Sequence, residues 1–88
     1  MKIKEGFIIK KLGIGYIVVT VGNASKVFNG VIRLNETGAF LWKSIQDGAD
    51  SREKLIQAML ERYEDLDRET AEKDLDEFLG KVAFAVGE

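Results

Sequence analysis

Apolar and polar positions change rhythm once along this chain, near residue 35. Before that point the apolar residues fall in short β-branched and aromatic runs: Phe7-Ile8-Ile9, Tyr16-Ile17-Val18-Val19-Thr20-Val21, and Val27-Phe28 through Val31-Ile32-Arg33-Leu34. Side chains of this shape pack well on a pleated surface and predict strands. Gly13-Ile14-Gly15 and Gly22-Asn23-Ala24-Ser25 separate the runs with turn chemistry. Connections this short join antiparallel neighbours, so the pattern predicts a three-stranded meander. In the third strand Phe28, Ile32 and Leu34 share one face, and Val27, Asn29, Val31 and Arg33 share the other. Only the first of these is a core face.

After residue 35 the spacing becomes helical. Asn35 is placed as an N-cap, and Gly38, Leu41, Trp42 and Ile45 follow on one stripe until Asp47-Gly48 stops the helix. Asp50, with Glu53 three residues on, predicts a capping-box start to a second helix carrying Leu55, Ile56, Met59, Leu60 and Tyr63. Asp67 opens a third, whose apolar face is Ala71, Leu75, Phe78, Leu79 and Val82. Gly80 interrupts that pattern at a cost of about 1 kcal/mol against Ala. Strands first and helices after make an α+β domain, with the outline of a winged helix-turn-helix: a three-stranded antiparallel sheet followed by three helices.

Length and composition narrow the functions open to such a fold. Eighty-eight residues predict a single domain over 1–88. A chain this short buries only about 60–68% of its unfolded surface, so an enclosed catalytic cavity would compete with the core for apolar side chains. There is no Cys and no His, which removes disulfides, thiolate metal sites and the usual general base. Met1-Lys2-Ile3-Lys4-Glu5 is unlike a signal peptide, and no run approaches the roughly 18 apolar residues of a membrane span, so a cytoplasmic protein is expected. Net charge is −2 but unevenly spread. Residues 1–34 hold six basic side chains against Glu5 alone, a net of +5; residues 35–66 carry −3 and residues 67–88 carry −4.

No constellation for catalysis emerges. Gly13-Ile14-Gly15 begins like a dinucleotide fingerprint, but Val18 stands where its third glycine belongs. The acidic run from Glu64 to Glu69 lacks the glycine of a calcium loop, because Thr70 occupies the sixth position counted from Asp65. Ser25, Ser44 and Ser51 have no His to activate them. The expectation is no catalytic residue, no metal and no cofactor. A winged helix could also bind DNA as a transcriptional regulator. Its reading helix would then carry Asp67, Glu69, Glu72, Asp74, Asp76 and Glu77 against Arg68, Lys73 and Lys81, the wrong sign for phosphate.

The block Leu34-Asn35-Glu36-Thr37-Gly38-Ala39-Phe40-Leu41-Trp42, followed by Asp47-Gly48 and by Asp74-Leu75-Asp76-Glu77-Phe78-Leu79, resembles the PqqD-like proteins. The resemblance extends over roughly residues 5 to 83. It implies a recognition element for ribosomally made, post-translationally modified peptides, one that holds the leader segment of a precursor peptide and presents the core segment to a modifying enzyme. That enzyme is often a radical S-adenosylmethionine (SAM) enzyme; the namesake serves pyrroloquinoline quinone (PQQ) synthesis. The resemblance further implies that the leader adds a strand at the edge formed by Val27, Phe28, Asn29, Gly30, Val31, Ile32 and Arg33. Its other wall would be Leu75, Phe78, Leu79 and Val82 of the third helix. Edge strands offer unpaired main-chain groups that suit such binding. They also allow a homodimer through the same edge, so either a monomer or an edge-strand dimer is expected.

Overall fold

The computed structural model describes residues 1–28 and 30–87, with the side chain of Val27 outside that description. In chain order the elements are β1 (Lys2–Ile3), β2 (Phe7–Leu12), β3 (Gly15–Thr20), α1 (Ala24–Val27), β4 (Ile32–Leu34), α2 (Glu36–Gln46), α3 (Arg52–Arg62), α4 (Arg68–Val82), a 3-10 turn (Ala83–Ala85) and β5 (Val86–Gly87). β2, β3 and β4 form an antiparallel sheet in sequence order, and the three long helices follow it. This is the expected α+β meander.

Three boundaries differ from expectation. The third strand is shorter than predicted, because Ala24–Val27 wind into a single helical turn and, among the described residues, only Ile32–Leu34 pair with β3. Ala24 and Ser25 follow Gly22 and Asn23, and the backbone amides of Ser25, Lys26 and Phe28 close back on the carbonyls of Gly22, Asn23 and Ala24. Local turn closure there outcompetes the strand propensity of the Val-Phe pair in the sequence. The second helix is capped by Ser51, whose hydroxyl accepts from the Lys54 amide at 3.2 Å, and Asp50 instead pairs with the Lys54 ammonium at 2.9 Å. Gly80 does not interrupt the last helix, which runs unbroken from Arg68 to Val82.

Asn35 and Asp67 cap their helices as predicted, accepting from the amides of Gly38 at 2.8 Å and Thr70 at 2.7 Å. The stripes read from the sequence face one core. Val18, Ile32 and Leu34 of the sheet meet Leu41, Trp42 and Ile45 of α2, Leu55, Ile56 and Met59 of α3, and Leu75, Phe78 and Val82 of α4. After α4 the chain turns back, and β5 pairs with β1 through Lys2–Gly87 and Ile3–Val86. Two-residue strands carry no readable period, which is why the sequence pattern did not reveal this second sheet. No helix among the described residues is long and apolar enough to cross a membrane.

Candidate peptide-binding edge and groove

The free edge of β4 can be assigned atom by atom from the neighbouring hairpin. Leu12 and Gly15 flank a two-residue turn. Gly13 has φ +63° and Ile14 does not have positive φ, the pattern of a II′ turn that only glycine enters cheaply. Such a turn closes on a hydrogen-bonded pair, and bonding direction alternates along a strand. Gly15, Ile17 and Val19 therefore bond β2, while Tyr16 and Val18 bond β4 through their partners Leu34 and Ile32. The geometry agrees: a Cβ placed on Gly15 would stand 3.4 Å from the Leu34 carbonyl oxygen, so that oxygen points into the sheet. By the same alternation the N–H and C=O of Arg33 point out of it.

The remaining residues of the predicted edge divide sharply. Val27 belongs to α1, not to a strand. Phe28 is extended, with φ −133° and ψ 121°, but its main chain is occupied: the amide donates to Ala24 at 3.0 Å and the carbonyl accepts from the Thr20 hydroxyl at 3.2 Å. Asn29 lies outside the described residues. Gly30 forms a bend, and Val31 lies outside the paired strand with its side chain exposed. Ile32 and Leu34 are buried on the core side while Arg33 is exposed. The edge open to another chain thus centres on Arg33, with Val31 next in the same parity.

Beside this edge lies α4. Leu75 and Val82 are wholly buried and Phe78 nearly so, whereas Leu79 is half-buried. Of the four predicted wall residues, Leu75 and Val82 belong to the core and present no free surface. Phe78 lines a groove of about 90 Å³ between the end of β4, the first turns of α2 and α4, together with Leu34, Asn35, Gly38, Asp74, Glu77 and Lys81. Sequence reasoning missed Asp74, Glu77 and Lys81. Their spacing of three and four residues sets them on one row of the helix, but charged rows usually mean a solvated face.

The far end of the edge is walled by aromatic rings. Phe28 stacks on Phe84 of the 3-10 turn with centroids 4.3 Å apart, and Phe7 lies 6.5 Å from Phe28 and 6.2 Å from Phe84. After Gly80 the chain runs on into the C-terminal turn that carries Phe84, which the Lys4 amide fastens by donating to the Ala85 carbonyl at 2.8 Å.

Ion pairs link α3 to α4. Arg52 pairs with Asp76, and Arg68 makes a two-pronged contact with Glu53 at 2.5 and 3.0 Å. Arg68 beside Glu53, helped by Gln57, holds that carboxyl down at about 2. Among the described residues Arg33, Lys81, Lys10 and Lys11 enter no ion pair. Nor do three potential metal-ligating side chains converge anywhere among those residues.

The family profile for coenzyme PQQ synthesis protein D (PqqD) matches residues 16–83, which span β3 through the start of the 3-10 turn. No curated protein sequence matches. Among solved structures, that of TbiB1 in complex with the TbiA(beta) leader peptide superposes with a TM-score of 0.71. It covers 96% of this chain and 90% of its own at 23% identity, a likeness of fold.

Proposed function

Since this chain belongs to the PqqD family, we propose that it is a peptide-binding adaptor that captures the leader segment of a precursor peptide by strand addition to β4. The protein whose fold it shares was solved with a leader peptide bound. The observation that carries the reading is the exposed edge at Arg33, its main-chain donor and acceptor directed outward beside the groove lined by Phe78. The chain would act without catalysing a reaction itself, presenting the held peptide to a separate modifying enzyme, with a radical SAM enzyme the first candidate. We assign residues 1–88 to a single peptide-recognition domain.

Main-chain bonding alone does not supply the affinity. Arg33 offers one donor and one acceptor, and Val31 adds a second set if the strand lengthens. At about 0.5–1.5 kcal/mol each, these contribute roughly 2–6 kcal/mol before the cost of ordering the peptide. A micromolar complex needs about 8 kcal/mol. The side-chain groove against α4 has to provide the remainder, and with it the specificity.

The reading is tested by adding short precursor-like peptides, encoded near this reading frame, to isotope-labelled protein and following the backbone amides. Strand addition shifts Val31, Arg33 and the groove-lining part of α4, while β2 stays unchanged. Shifts confined to other surfaces would defeat it.

A further inference from the structure

We propose that the adaptor selects an acidic residue in the bound peptide, placed in register with Arg33 and flanked on both sides by apolar residues. This rests on the strand-addition reading and adds to it the chemistry of the peptide that fits.

The pattern follows from the register. Residues opposite one another in a sheet share a face, so a peptide residue bonded to Arg33 projects its side chain beside that of Arg33, on the outer face of the sheet. That face holds Lys10, Ile17 and Arg33 in one cross-strand row. No acidic residue occurs in β2, β3 or β4. A depression of about 340 Å³ at this end of the sheet brings Arg33 together with Lys81 from α4, between the apolar lips of Leu12, Ile14 and Ile17. Ile14 is fully exposed and Leu12 more than half exposed. Two cations that enter no ion pair among the described residues, with no carboxylate lining the depression, favour an anion at that position, and the apolar lips reduce its competition with water.

The neighbours of that acidic residue point the other way. They project to the face of Ile32 and Leu34, into the groove against Phe78 at one end and towards the Phe28–Phe84 stack at the other. Burial there favours apolar or aromatic side chains. Only Asp74 and Glu77 in that groove are acidic, and a second carboxylate beside them is disfavoured. The recognised unit is therefore apolar, acidic, apolar.

A random-peptide display library selected on the full chain tests this directly. Binders are expected to share an acidic position between two apolar ones. Reversing both charges, Arg33→Glu with Lys81→Glu, should weaken wild-type binders about tenfold at low salt and shift a fresh selection to Lys or Arg at that position. Both side chains are exposed, and circular dichroism verifies that the variant folds. Binders that are lost on Val31→Pro yet show no acidic preference, or that ignore the charge reversal, overturn the inference and leave strand addition intact. A selection yielding no binder sensitive to Val31→Pro overturns strand addition and this inference together.

Discussion

Phe28 and Phe84 stack with ring centroids 4.3 Å apart and an interplanar angle of 26°. One ring sits just before β4 and the other in the turn after α4, so the C-terminal turn braces the segment that leads into the open β4 edge. Aromatic pairs contribute about 0.5–1.5 kcal/mol beyond their buried area. Phe84→Ala is expected to lower stability by about 1–2 kcal/mol, read as a fall in the urea midpoint. Peptide affinity should fall as well, even where the protein remains fully folded. Unchanged affinity in folded protein would show that the brace is not part of the site.

Two glycines in helices make opposite predictions. Gly80 is exposed, and a Cβ there meets nothing within 4 Å, so Gly80→Ala should stabilise the domain by about 1 kcal/mol through helix propensity alone. A Cβ on Gly38 would lie 3.2 Å from two carbons of Leu34 and 3.3 Å from the capping oxygen of Asn35. Gly38→Ala presses on β4 and on the cap together, and the strain should cancel the propensity gain and leave the protein less stable. Thermal melts of the two variants measure both; stabilisation by Gly38→Ala would mean that β4 yields easily.

The contact between Glu53 and Arg68 ties the start of α3 to the start of α4 and carries a pH signature. The Glu53 carboxyl titrates at about 2 instead of 4.5. A depressed carboxylate stabilises the fold above its unfolded pKa and loses that contribution as pH falls through the folded one. Glu53→Gln should therefore be less stable than wild type near neutral pH, and the two should converge between about pH 4.5 and pH 2. Both side chains are about half exposed, so the gap is small and shrinks with added salt. Parallel denaturant curves across that range give the measurement, and a gap independent of pH would refute the assignment.

The helices were legible because a period of 3.6 with a cap at its start admits few alternatives. Asn35 and Asp67 cap where the spacing placed them, and Gly38, Leu41, Trp42 and Ile45 are all buried. The site was less legible, for three physical reasons. A Val-Phe pair reads as strand, yet Val27 follows residues that close a helical turn first. Apolar periodicity marks what is buried, so it pointed to Leu75 and Val82, which are too deep to touch a peptide, and passed over Lys81 and Glu77, which line the groove. The Phe28–Phe84 stack joins residues far apart in the sequence that no local period connects.

Proline substitutions along the edge give the sharpest separation between folding and binding. Proline removes an amide donor, which a central ladder tolerates badly and an open edge tolerates well. Ile32 bonds inward to Val18 and is buried, so Ile32→Pro breaks the sheet and the core at once and should unfold the domain. Val31 lies outside the ladder with its side chain exposed, and its amide takes the outward parity of Arg33 once an added strand extends the ladder to it. Val31→Pro should leave the far-ultraviolet circular dichroism and the melting temperature close to wild type while weakening peptide binding at least about fivefold, the loss of one main-chain hydrogen bond. Arg33→Pro should weaken it further, because it removes both the central donor and the cation beside it. Ile8 provides the control: it bonds inward to Val19, so Ile8→Pro damages the hairpin without touching the β4 edge. If folded Val31→Pro protein binds peptide as tightly as wild type, the added strand does not lie along β4.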